Sequence, residues 1–310
     1  MASQNSSISN FKLFCIKFLL PFLALFFLIG YAFQYVLEKT IILKSEINGA
    51  YKINRIINET HNDEIPMFGS SRMEGDFIPG ILGSNYFNYG LAGTQDNVTL
   101  FFLNEEIKKN KTSPIIINFD MDGLSYGNGD MANYLYNINN EGVQHIIGND
   151  DRVHYHIPVV KYYGFYEGYF KDYLSNRVTL TKFTDKGASV EKNSLLPQAF
   201  NQAVALRKSY TTIFKNDEQL KKGFDYVFSH ATKRKFIFVV APYHSSNFIQ
   251  YKNEGEAARY FAYLKTYKNV MVLDFSKKNY PDSLFFDTQH LNYNGAIKFS
   301  KALKDTLSKI

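Results

Sequence analysis

Along the chain the spacing of apolar residues changes several times, and each change marks a new element. Phe18 to Leu37 (FLLPFLALFFLIGYAFQYVL) is an uncharged run of twenty residues, long enough as a helix to cross a hydrocarbon core of about 30 Å. Ile42, Ile47, Ile53 and Ile57 then recur at helical spacing, so residues 38–63 are expected to form a helical stalk. From Glu64 onward, short apolar runs alternate with longer amphipathic segments. Ile65 to Phe68, Tyr86 to Tyr89, Ile115 to Phe119, Phe236 to Val240 and Val270 to Asp274 read as strands, several of them apolar throughout, as strands buried on both faces are. Gln95 to Lys109, Asp217 to Lys233, Glu254 to Tyr267 and Tyr293 to Leu307 read as helices, the last capped by Asn292. Such alternation predicts an α/β domain over 64–310, a parallel sheet with helices on both faces in a three-layer α/β/α sandwich.

The alternation fails between about 124 and 215, where SYGNGDMANYLYNINNEG and HYHIPVVKYYGFYEGYF are rich in Tyr, Asn and Gly. That stretch is too long for an ordinary loop and is expected to be an insertion or lid. Its tyrosines suit either a groove for a glycan or acyl chain or the packing of an irregular subdomain.

The apolar run fits two descriptions. Pro21 sits in its first turn and Tyr31 and Tyr35 near its far end, as in a transmembrane anchor with an aromatic belt. Gly30-Tyr31-Ala32 also offers a small-x-small site for signal cleavage, but the stretch is longer than the usual core of a signal peptide. Residues 1–17 form a short tail, and Lys12 and Lys17 before the span balance Lys39 and Lys44 after it, so charge leaves the orientation open. Because most of the chain follows the span, a single-pass membrane protein with an extracytoplasmic C-terminal domain is the economical arrangement. The sole cysteine, Cys15, lies at the membrane edge, so the domain has no disulfide.

The formal charge of +6 comes from Lys and Arg dispersed among acidic residues, which argues against nucleic acid as a partner and suits a mild attraction to anionic surfaces. His154-Tyr155-His156 places two imidazoles on one face of an extended segment, but no carboxylate or cysteine cluster accompanies them in sequence. Neither a metal nor a cofactor is expected.

Two segments carry candidate chemistry. Phe68-Gly69-Ser70-Ser71-Arg72 follows the first strand directly, which puts a serine where open α/β sheets bind their ligands. Alone, Gly-Ser-Ser is a common strand-ending turn. Asp287-Thr288-Gln289-His290 precedes the final helix, and an aspartate three residues before a histidine can hold the imidazole Nδ1–H while Nε2 takes a proton from a serine. Arg72 is placed to bind an anionic group or to pair with Glu74 or Asp76, and His244, after the fourth strand, lies either in the cleft or in loop packing.

These segments resemble the blocks of the SGNH or GDSL-like hydrolases, in particular membrane-anchored relatives that handle acyl groups on envelope polymers. Gly69-Ser70-Ser71 is similar to the Gly-Asp-Ser block, with Ser71 in the nucleophile position. Asn88-Tyr89-Gly90-Leu91-Ala92-Gly93-Thr94 resembles the block in which a glycine, here Gly93, offers its amide to an oxyanion. Asp287-x-x-His290 resembles the last block. The resemblance implies a flavodoxin-like sandwich, a Ser71-His290-Asp287 triad and an esterase or O-acyltransferase acting on an acylated surface glycan, with a membrane-bound acyl donor protein as a further partner. The third block departs from the family. Where Gly-x-Asn-Asp is usual, this chain has Ile117-Asn118-Phe119-Asp120-Met121-Asp122-Gly123. Asn118 falls inside the expected strand, and a charged Asp120 or Asp122 would repel an oxyanion. A non-catalytic module that binds a polymer or partner therefore stands as the alternative.

Overall fold

The computed structural model describes residues 11–44, 49–148, 153–174, 186–190, 195, 197–209, 213–250 and 253–310. Five parallel strands form the central sheet: β1 (Ile65–Phe68), β2 (Tyr86–Asn88), β3 (Ile115–Asn118), β6 (Phe236–Val240) and β7 (Val270–Asp274). They lie in the order β2-β1-β3-β6-β7. A two-residue pair, β4 (Gly123–Leu124) with β5 (Lys215–Asn216), joins the two ends of the 124–215 stretch. The two ends of the stretch expected as an insertion thus lie side by side.

Strand alternation divides the core in two. Phe68, Ile115, Ile117, Phe236 and Phe238 face a layer made by the helices Ala50–Asn58, Asp96–Ile107, Glu218–His230 and Glu254–Leu264. Met67, Ile116, Ile237 and Val239 face the other layer, which includes Ser71–Asp76, Pro79–Leu82 and Tyr293–Leu307. Burial on both sides is what makes the strands uniformly apolar. The expected elements appear with ends trimmed: Tyr89 and Phe119 lie just past their strands, and Asp217 and Asn292 act as caps, accepting from Leu220 N–H at 2.9 Å and Gly295 N–H at 3.1 Å.

The N-terminal apolar helix is continuous from Phe11 to Ile42 and is the one described helix long and apolar enough to cross a membrane. The segment expected as a stalk is divided. Residues up to Ile42 prolong the apolar helix, whereas Ala50–Asn58 packs on the domain itself, with Ile53 and Ile56 fully buried. Apolar spacing shows that this helix has a buried face but not what buries it. A third core joins Leu37, Ile41 and Ile42 to Ala132, Leu135, Tyr155, Tyr162 and Tyr169 of the insertion.

Candidate functional site

The sheet order reverses between β1 and β3, and ligands of open α/β sheets bind beyond the strand ends at such a switch point. There Gly69 follows the last residue of β1, and Ser71 opens the short Ser71–Asp76 helix. A Cβ on Gly69 would stand 2.8 Å from Met73 Cβ and 2.9 Å from Asn118 Cβ, so only glycine fits the turn. Ser70, in the capping position, gives its hydroxyl to Asp120 Oδ2 at 2.6 Å and leaves the helix without a side-chain cap.

The Asp287–Asn292 turn brings its histidine to the same place. Ser71 Oγ lies 2.8 Å from His290 Nε2, and His290 Nδ1 lies 2.9 Å from Asp287 Oδ2 and 3.1 Å from Oδ1. Asp287 Oδ1 also accepts the amides of Gln289 and His290, each at 2.7 Å, which fixes the carboxylate against the ring. Imidazole and carboxylate are about three-quarters buried. Burial disfavours the charged imidazole, but the hydrogen bond to Asp287 and the charges of Asp76 and Asp287 outweigh it and raise the His290 pKa. Burial likewise pushes Asp287 up, and the His290 hydrogen bond and charge, with the two amides, pull it below its ordinary value.

The turn is held from several sides. Buried Asp76 accepts Leu291 N–H at 2.8 Å, Arg72 Nε donates to Gln289 O at 3.0 Å, and Asn247 Nδ2 donates to Thr288 O. Burial raises the Asp76 pKa to about 6 against the opposing charges of Arg72 and His290.

Ser71 opens on a cavity of about 140 Å³, lined also by Gly93, Gln95, Asp120, Asp122, Arg207 and Tyr243. That is small beside the several hundred Å³ (roughly 300–1,000) of drug-sized sites. Gly93 reaches it in a left-handed conformation, φ 75°, at the end of a loop that Asn88 and Glu74 pin: Asn88 Oδ1 accepts Gly90 N–H at 2.8 Å and Glu74 Oε2 accepts Ala92 N–H at 2.9 Å. Glu74 is in turn bound by buried Lys52 at 2.8 Å, and Lys52 also donates to Gly90 O. The domain's first helix thereby braces the loop.

Several expected site residues are placed otherwise. His244 is a correction: it does not line the cavity. Its Nδ1 meets Ser246 Oγ at 2.8 Å, its Nε2 meets Asp282 Oδ1 at 3.0 Å, and its ring is wedged edge-on against Phe200 and Phe285. Asn118 lies beneath the Gly69 turn but outside the cavity lining, and its Nδ2 donates to Asp120 Oδ1 at 2.9 Å rather than toward Ser71. Arg72 borders the cavity with its charge already engaged, 3.3 Å from Asp120 and 3.5 Å from Asp76, not Glu74; its guanidinium also donates to Pro242 O at 2.8 Å and lies 3.6 Å over the Tyr243 ring. Asp120 lines the cavity as expected, and it accepts from Ser70, Arg72, Asn118 and Tyr243. Burial, then the Asp120 charge, raises Asp122 to about 6.

Arg207 and Gln95 were not legible as site residues. Arg207 comes from the insertion, on the Pro197–Ser209 helix, and bonds to Asn247; no local motif marks it. Gln289 lies within the Asp287–His290 turn and Tyr243 within the Pro242-Tyr243-His244 segment at the ligand edge of the sheet, so both places at the cavity had a signal in the sequence.

No family model matches the chain, and no curated protein does either. Among solved structures, one provisionally described as a platelet activating factor from Streptococcus pneumonia is similar at 13% identity over 88% of this chain and 97% of that one, with a TM-score of 0.43. At that score the likeness adds nothing to what the strand order establishes.

Proposed function

We propose that the chain is a membrane-anchored serine esterase or O-acyltransferase of SGNH type, acting on small, acetyl-like acyl esters of a cell-surface glycan. The observation that carries this is the Ser71–His290–Asp287 relay, at 2.8 and 2.9 Å, opening on a small cavity at the sheet's switch point. Ser71 Oγ attacks the ester carbonyl carbon while His290 Nε2 takes its proton. Asp287 holds the Nδ1–H tautomer and offsets the imidazolium charge. The Ser71 and Gly93 amides receive the tetrahedral oxyanion. Collapse expels the sugar alkoxide, which leaves as the alcohol with the proton from Nε2. Water or a second hydroxyl then repeats the sequence on the acyl-enzyme, giving hydrolysis or transfer. The size of the cavity supports a short acyl group, and the glycan rests on the family resemblance and on a site held near a membrane by its anchor.

A second reading, an inactive module that binds an envelope polymer, is favoured by the third block, because Asn118 serves Asp120 and supplies no donor to the cavity. The donors gathered on Asp120 and the raised pKa of Asp122 lessen the repulsion a carboxylate would exert there. One missing side-chain donor typically costs about 10²–10³-fold in rate, so an impaired enzyme is the expected result. A fluorophosphonate probe applied to the full chain in membranes separates the two. Labelling of wild type and not of Ser71→Ala supports the enzyme; a folded wild type that stays unlabelled removes it.

A further inference from the structure

Part of the insertion lies against the apolar helix well below its membrane exit. Gly30 is buried, and a Cβ there would stand 3.3 Å from Pro158 Cβ and 3.3 Å from Val159 Cγ2. One turn further on, Phe33 meets Tyr166 with ring centroids 6.1 Å apart. At the exit itself, Glu38 accepts from Lys161 at 3.0 Å and from Tyr162 at 2.7 Å. Gly30 precedes Leu37 by seven residues, which at about 1.5 Å per residue places Pro158 and Val159 about 10 Å inside the end of the apolar run. No water-exposed loop fits at that depth.

The Tyr166–Leu174 helix is apolar on two sides. Tyr169, with Tyr162 and Phe165, packs into the insertion's own core. Phe170, Tyr173 and Leu174 face outward, one helical stripe from Tyr166, with Phe170 42% and Leu174 80% exposed; Tyr163, in the preceding turn, is 82% exposed. Together, with Glu167 and Lys171 beside Phe170 and Leu174, they form an amphipathic face that meets the span at Phe33 and Tyr166, and amphipathic elements that lie in a membrane surface sink about 5–10 Å into the headgroup and acyl boundary.

We propose that residues 153–174 form an in-plane platform seated in the leaflet at which the Phe18–Leu37 helix emerges, with lipid as the occupant of the exposed aromatic face. This rests on the helix being a retained span. The platform would make the domain's tilt and height above the bilayer fixed quantities, which a single flexible tether does not.

The chain contains no tryptophan, so single-tryptophan variants report their own depth. Phe170→Trp and Leu174→Trp, made in the full chain in nanodiscs of phosphatidylcholine and phosphatidylglycerol, are expected to lose about half their emission when the lipids are brominated near the headgroup end of the acyl chain. Both are expected to resist aqueous iodide. Tyr226→Trp, on the exposed side of the Glu218–His230 helix, is expected to show the reverse. Quenching of the platform variants by iodide as strong as that of Tyr226→Trp overturns the proposal, and so does protection from both quenchers, which means protein covers the face. Phe22→Trp, 64% exposed and about 6 Å inside the first residue of the span, at the depth of the bromines, tells the two claims apart. If bromolipid quenches it and not the platform variants, the anchor stands and the platform falls; if bromolipid spares it, both fall.

Discussion

Arg72 is buried beside the candidate nucleophile and donates to the backbone of two separate segments, Gln289 and Pro242, while facing the carboxylates of Asp76 and Asp120. Removing one member of a buried charge group leaves the others uncompensated, at about 3–5 kcal/mol. Arg72→Ala is therefore expected to lower stability by about that amount in denaturant titrations, and to lose fluorophosphonate labelling in whatever folded fraction remains, because the His290 turn loses one of its ties. The His290–Asp287 pair makes a pH prediction with opposite signs for stability and rate. His290 is raised above 6.5 in the fold, so its contribution to stability is full below 6.5 and fades as pH rises through the raised value. Asp287 is depressed below 3.8, so its contribution is full above 3.8 and fades as pH falls through the depressed value. The pair should stabilise most between pH 3.8 and 6.5, whereas the rate needs neutral imidazole and should rise along an acid limb centred above 6.5. Melting curves of wild type and His290→Gln across pH, beside a pH–rate profile with a small acyl ester, check both. Ser71, Asp287 and His290 were legible because each stands in a short local motif, Gly-Ser-Ser after a strand and Asp-x-x-His before a helix. His244 stayed open between cleft and loop packing because a histidine after a strand looks alike whether it faces a cleft or a wall of Phe200 and Phe285.

At the scale of elements, the junction of β1 with the Ser71–Asp76 helix is the tightest constraint on the site. Gly69→Ala would force a Cβ to within 3.0 Å of both Met73 and Asn118. Overpacking of that kind costs about 1–3 kcal/mol, and a displacement of about 1 Å at a nucleophile costs on the order of 10²-fold. Loss of fluorophosphonate labelling out of proportion to the loss of stability is the expected signature. Gly80→Ala is the control, since nothing lies within 4 Å of its Cβ; it should leave both measurements unchanged. The strands and the long helices followed from apolar spacing because their burial is set by the sheet itself. The role of Ala50–Asn58 did not, since Lys52 looks like any surface lysine in sequence and becomes a buried brace only when Glu74 and Gly90 are brought to it.

For the molecule as a whole, the apolar helix is joined to the domain by side-chain packing as well as by the chain. Leu37, Ile41 and Ile42 complete the insertion's core, and Glu38 satisfies Lys161 and Tyr162. A chain lacking residues 1–43 is expected to lose about 1.5–3 kcal/mol for each buried aliphatic side chain removed. The loss should fall on residues 131–174, read as faster amide exchange there than in β1, β3 and β6. Little of this showed in the sequence, where Tyr- and Asn-rich segments have no period and their partners on the apolar helix lie about ninety or more residues away.

Ser71 and His290 are separated by 219 positions, and that distance sets an order of events during synthesis. The hydroxyl is made soon after the apolar helix, and its imidazole arrives only after the whole parallel sheet has been synthesised. At roughly 5–20 residues per second, the nascent polypeptide spends tens of seconds with Ser71 already made and His290 not yet added, so the pair can form only once both ends of that interval have been synthesised.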